Sequence, residues 1–354
     1  MTPLQKLRVE MTRLAVDAVF VSDEKNQQYL SGFPFTDGYL LILPDSAYLV
    51  TDFRYKEAAE KSVYEGFTVI VPEGRNSFMQ QALAEHGVRR LGFEGSVLTY
   101  SEYQGHKKRL KGITLCDIED TLEKMRECKM GTEIAVIERA QSITDAAFAE
   151  LLRVLSPSMT EIEVAAELEY RMRRLGADGI AFDTIAVSGT ASALPHGTPR
   201  ACKLERGFLT LDFGAKCGGY CSDMTRTLSI GKATDDMKKL YKTVLSAQLA
   251  ALDFLRAGVL CSDADAVARR IIDRDYPGTF GHSLGHGVGL YIHENPRLSA
   301  KNLKTALLAG HVVTVEPGIY LEGKYGCRIE DMVVIEENGI KNLTKSPKEL
   351  IEIL

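Results

Sequence analysis

Asp212 and Asp223 sit in two strand-like stretches of LDFGAKCGGYCSD (211–223), on either side of a Gly218-Gly219 turn. Paired as a hairpin, these stretches bring the two carboxylates toward one another. Closely opposed ionised acids repel, so a positive centre would explain their placement; a pair of solvated acids near a turn is the plainer alternative. Two more acids mark the ends of apolar runs. Glu316 closes VVTVE just ahead of Pro317-Gly318, and Glu330 follows Arg328-Ile329. An acid at the end of a buried strand needs a partner, because burying an isolated charge is costly. Oxygen donors suit Mg²⁺, Mn²⁺ and related divalent ions, and an imidazole shifts the choice toward transition metals. Arg328 offers the competing explanation, since it could neutralise these acids through ordinary salt bridges.

The histidines cluster. The chain has seven, and His282, His286 and His293 all fall within GHSLGHGVGLYIHENP (281–296). Gly285, Gly287 and Gly289 let the backbone bend there or approach another group closely. The segment is not a dinucleotide fingerprint, because the flanking strand, phosphate helix and later ribose-binding acid are missing. Nor is it a zincin helix: Arg297 stands where HExxH requires its second histidine. One histidine of the cluster could ligate a metal and another could bond a substrate; spacing does not assign them. His196, in the turn-rich LPHGTPR (194–200), suits a cleft rim or an exposed turn.

The elements that must position these side chains read as two units. Residues 1–124 alternate a helix pattern at 3–15 with strand signals at 18–21, 39–44, 47–53, 67–74 and 89–95, an α/β domain. Asp52, Arg54 and Tyr55 lie near a strand end there and read as structural or interface residues. The charged stretch 119–133 is a linker or a connecting helix. Residues 125–354 hold helix patterns at 132–153, 160–176, 233–257 and 262–275, the second opened by a Thr160/Glu163 capping box. Strand-and-turn segments at 182–189, 207–231, 311–321 and 326–339 complete an α+β unit with helices packed on a strongly antiparallel sheet. The 354 residues carry a net charge of −5, which gives no reason to expect nucleic acid. Seven cysteines are too sparse and odd in number for a disulfide scaffold and favour a reducing compartment. With no signal-peptide core and no run long enough to span a membrane, the expectation is a soluble cytoplasmic protein.

PHG (195–197), LDFG (211–214), SDMTRT (222–227), HSLGHGVGLYIHE (282–294), VEPGIY (315–320) and RIED (328–331) together resemble the metal-dependent proline peptidases of the creatinase/methionine-aminopeptidase superfamily. The first half resembles the smaller creatinase-like α/β domain of those enzymes. The resemblance implies a pita-bread catalytic domain, with a curved antiparallel sheet and covering helices. It implies that Asp212, Asp223, His286, Glu316 and Glu330 hold two divalent ions, with Mn²⁺ favoured and Co²⁺, Zn²⁺ or Fe²⁺ alternatives. Glu316 would also exchange a proton with an attacking bridging hydroxide or water. His196 and His293 would orient the scissile carbonyl, and His282 would contact substrate at the rim. Arg328 is a further substrate-binding candidate. Arg297 takes the place of the arginine that clamps a dipeptide's carboxylate, which favours an Xaa-Pro dipeptidase over an Xaa-Pro aminopeptidase acting on longer peptides. A homodimer is also implied, and a non-catalytic interaction protein is a poor fit because no ligand is missing.

Overall fold

The short apolar runs of the first third pair into one sheet whose central strands are buried and whose edge strands are partly exposed. In the computed structural model, which describes residues 1–354, the chain divides into Met1–Arg126 and Glu127–Leu354. The first unit holds six strands in the spatial order Thr68–Ile70, Ala47–Val50, Tyr39–Ile42, Ala18–Val21, Arg90–Phe93 and Thr114–Asp117. Tyr39–Ile42 runs antiparallel to both of its neighbours, and the other pairs are parallel. Ala18–Val21 and Tyr39–Ile42 are buried along their whole length, the pattern of strands covered on both sides. The helix Pro3–Leu14 starts with a Thr2/Gln5 capping box and proline in the first turn. Asp52 caps the helix Phe53–Ser62 and pairs with Arg54 and Arg75, a structural use of that strand end. The 119–133 stretch holds the short helix Thr121–Glu127, a break, and the start of the helix Gly131–Leu151.

The second unit carries four long helices, Gly131–Leu151, Glu161–Arg174, Asp235–Phe254 and Cys261–Asp275. A four-stranded sheet orders Glu352–Ile353, Met224–Ile230, Gly207–Phe213 and Ile185–Ser188. A five-stranded antiparallel sheet orders Glu294–Leu298, Gly285–Gly287, Val312–Val315, Asp331–Glu336 and Gly339–Asn342. Gly318–Leu321 and Tyr325–Arg328 form a separate hairpin. The one departure from the expected antiparallel pattern is Glu352–Ile353, which joins Met224–Ile230 in parallel. Helices Gly131–Leu151 and Glu161–Arg174 bury Phe148 and Leu168 against Leu209, Leu211 and Phe213. Helices Asp235–Phe254 and Cys261–Asp275 bury Val244 and Ala268 against Val313, Val315 and Val333. Two helical layers therefore flank sheets that meet between them, the α+β pita-bread arrangement. Strand alternation turns Asp212 away from the layer that covers Leu211 and Phe213.

Candidate active site

One hairpin sets the first two acids. Asp212 pairs with Thr225 and Phe213 with Met224, and beyond them Cys217 pairs with Tyr220 in the same register. Gly214 therefore stands across from Asp223, and the two aspartates occupy diagonal positions on one face. A Cβ on Gly214 would lie 1.9 Å from the Ser222 carbonyl oxygen, so the close approach needs glycine here. Glu316 follows the strand Val312–Val315 and Glu330 precedes Asp331–Glu336; the Val315–Asp331 pairing brings those two strand ends together. His286 comes from the short strand Gly285–Gly287, which pairs with Val313.

Oxygen or nitrogen atoms of Asp223, His286 and Glu330, all buried, lie within 4.8 Å of one another. His286 Nε2 is 3.6 Å from Asp223 Oδ2 and 3.4 Å from Glu316 Oε1. Its Nδ1 lies 3.1 Å from the Gly287 carbonyl, so Nδ1 carries the hydrogen and Nε2 turns its lone pair to the acids. Burial, with the adjacent His293 second, drops the His286 pKa to about 3 and keeps the ring neutral. Burial also pushes Asp223 and Glu330 well above the carboxylate range, reinforced by the surrounding acids. Burial lifts Glu316 to about 8. Asp212 presents a buried Oδ1 with no hydrogen-bond partner. Four carboxylates, one of them with an orphaned oxygen, converge with one neutral imidazole, and a divalent metal fits that donor set.

Arg328 organises the same acids from one side. Its Nη2 donates to Asp212 Oδ2 at 2.6 Å, Nε to Thr225 Oγ1 at 3.0 Å, and Nη1 to the Tyr320 hydroxyl at 2.6 Å. Thr225 Oγ1 in turn donates to Glu330 Oε2 at 2.7 Å. His282 Nδ1 faces the Ser283 carbonyl at 2.9 Å, and Nε2 faces the Tyr320 hydroxyl at 3.0 Å. Nδ1 thus holds the proton, Tyr320 donates to Nε2, and both ring nitrogens of His282 are engaged inside the protein. Sequence reasoning missed Tyr320; a hydroxyl in the otherwise apolar GIYL strand was the available signal.

All ten site residues expected from the sequence line one cavity of about 540 Å³. They are Asp212, Asp223, His286, Glu316, Glu330, His196, His282, His293, Arg297 and Arg328. Phe182, Ile185, Pro195, Pro199 and Ile292 add an apolar wall. The His293 ring packs edge-on against His286 with centroids 4.4 Å apart. Glu161, which sequence reasoning also missed, fixes the segment that presents His196. Its buried carboxylate accepts from Ser188 N and Oγ at 2.6 and 2.7 Å, and from Arg200 N, Nε and Nη2 at 2.9, 2.8 and 2.6 Å. Burial raises the Glu161 pKa, but the bonds from Arg200 and Ser188 outweigh it and hold the carboxyl below its ordinary value.

Known proteins resemble this chain over nearly its whole length. The pattern described as Metallopeptidase family M24 matches residues 135–337, and that of the Creatinase/Prolidase N-terminal domain matches residues 3–128. An Xaa-Pro dipeptidase of Pyrococcus horikoshii is 39% identical over 353 residues, 98% of this chain and 98% of its own. The structure of an Xaa-Pro dipeptidase from Bacillus anthracis matches with a TM-score of 0.95 at 41% identity, covering 99% of both chains. An X-Pro aminopeptidase structure from Thermotoga maritima matches with a TM-score of 0.93 at 37% identity, covering 98% of this chain and 100% of its own.

Proposed function

The chain belongs to metallopeptidase family M24, and from that premise we propose that it hydrolyses the peptide bond preceding proline in Xaa-Pro dipeptides. The observation that carries this reading is the opening of the Asp223–His286–Glu330 cluster and Arg297 into one cavity. In this reading Asp212, Asp223, His286, Glu316 and Glu330 hold two divalent ions, Mn²⁺ in preference to Co²⁺, Zn²⁺ or Fe²⁺. The oxygen-rich donor set, the neutral imidazole and the orphaned Asp212 oxygen support it. Such ions acidify a water and polarise a peptide carbonyl.

The remaining work falls to the side chains. Thr314 Oγ1 lies 3.3 Å from Glu316 Oε1 and orients that carboxyl, which bound divalent ions would hold ionised against its burial, so that it can take a proton from the water and return it to the departing proline nitrogen. His196 and His293 bond the carbonyl oxygen as charge develops on it. Arg328 and Tyr320 hold Asp212 and His282 in place, and the apolar wall receives the proline ring and excludes water. Arg297, exposed at the cavity, binds the free carboxylate of the dipeptide. The reading extends to a homodimer in the cytoplasm. None of the seven cysteines is in a disulfide, which supports a reducing compartment, and no helix is long and apolar enough to cross a membrane.

The likeness to an X-Pro aminopeptidase keeps one competing specificity in play, and Arg297 separates the two. Matched Ala-Pro, Ala-Pro-amide and Ala-Pro-Ala substrates test it directly. A dipeptidase cleaves Ala-Pro best, and Arg297→Ala then loses on the order of 10–100-fold in kcat/KM on that substrate, the worth of one charge-assisted contact. Equal or better cleavage of the tripeptide, with no selective defect in Arg297→Ala, makes the enzyme an aminopeptidase.

A further inference from the structure

We propose that Glu294 and Lys129 are positioning residues for His293, acting as a buried ionic latch on the loop that presents it; this inference rests on the role given to His293 above. Lys129 Nζ lies 3.1 Å from Glu294 Oε2, and the two side chains are 1% and 5% exposed. Glu294 Oε1 accepts the Tyr291 backbone N–H at 3.1 Å, and Gly289 N–H donates to the Tyr291 carbonyl at 3.0 Å. The carboxylate therefore sits inside the turn formed by residues 289–294. A Cβ on Gly289 would come within 2.5 Å of Glu294 Oε2, so the acid occupies the space that a side chain would need.

Both ends of the latch are anchored. The Lys129 backbone N–H donates to Gly310 O at 2.9 Å, and the Gly289 carbonyl accepts the Cys221 N–H at 2.8 Å. Between these anchors the loop carries Ile292 and His293 into the cavity, with the His293 ring against His286. Burying both charges incurs a desolvation cost that apolar side chains of the same volume would avoid. That cost has a use where the acid directly follows His293 in the chain. The ion pair removes the freedom of a glycine-containing loop and fixes the imidazole relative to the reacting carbonyl.

The test combines Glu294→Gln, Lys129→Met and the pair of them with His293→Ala. The double variant removes both charges at nearly constant volume, so its fold does not depend on an unpaired buried ion. Bound metal, read by elemental analysis, and KM for Ala-Pro stay at wild-type values. kcat falls on the order of 10–100-fold, the effect of a misplaced catalytic group. In the His293→Ala background the latch variants add no further loss, because they act through that ring. A double variant with wild-type kcat, or losses that multiply with His293→Ala, overturns the proposal. Wild-type protein that leaves Ala-Pro intact is a different failure, that of the peptidase reading itself.

Discussion

Replacing Glu161 with glutamine tests how far the buried polar frame sets the His196 segment. One carboxylate oxygen accepts Ser188 N, Ser188 Oγ and Arg200 Nη2, and the other accepts Arg200 N and Nε. A glutamine with its oxygen toward Ser188 turns an NH₂ group onto the Arg200 donors. The Arg200 side chain is 40% exposed and can recover water, whereas its backbone N–H loses its acceptor. One stranded donor costs about 1–3 kcal/mol, and the weaker neutral bonds that survive add to it, so about 2–4 kcal/mol is expected at neutral pH. The sign with pH follows from the lowered folded-state pKa of Glu161. Its contribution is complete above the ordinary value of 4.5 and disappears as pH falls through the lower folded value. Urea unfolding of wild type and variant should therefore diverge most at neutral pH and converge in steps below 4.5. A gap that stays constant across that range, or no gap at neutral pH, refutes the assignment.

Three further outcomes bear on the chemistry. Thorough chelation should abolish Ala-Pro cleavage, Mn²⁺ or Co²⁺ should restore it, and calorimetric titration should approach two ions per chain; an active apoprotein contradicts the metal reading. Glu316→Gln should lower kcat on the order of 10²–10⁴, and near-normal turnover by the metal-loaded variant would remove its role in proton transfer. Gly214→Ala should disrupt the Asp212–Asp223 hairpin and with it metal uptake, read by titration, since its Cβ has only 1.9 Å to the Ser222 oxygen.

The hairpin was legible because its information is local. The Gly218-Gly219 turn fixes the register, and the register sets which face Asp212 and Asp223 share. The Thr160/Glu163 capping box marked the start of its helix for the same reason. The grouping of His286 with the acids followed from motif resemblance rather than from any spacing in the chain. Arg328 was named both as a salt-bridge partner for the acids and as a substrate-binding candidate, and its bonds to Asp212, Thr225 and Tyr320 depend on where the Tyr325–Arg328 strand meets Gly207–Phe213. Glu161 could not be found by pattern. It stands beside the capping residue Glu163, where an acid at a helix start is ordinary, and its partners Ser188 and Arg200 come from other segments. Lys129 and Glu294 were hidden likewise, one in a charged stretch and one in a histidine motif.

The hairpin between Gly207 and Ile230 has a consequence for the order of events during synthesis and folding. Its strands are joined by a tight turn, so it can close on the microsecond scale, whereas His286, Glu316 and Glu330 arrive only by closing much longer loops. A ribbon bearing two unneutralised aspartates therefore precedes the complete donor set. If Asp212 and Asp223 are ligands as proposed, the hairpin alone would offer an ion two carboxylates and no imidazole, a hard and weakly discriminating pair. The nitrogen donor of that reading, His286, arrives only with the five-stranded sheet, in which it is buried. On the proposed two-metal reading, the choice among ions would therefore rest with the finished protein and not with the growing chain.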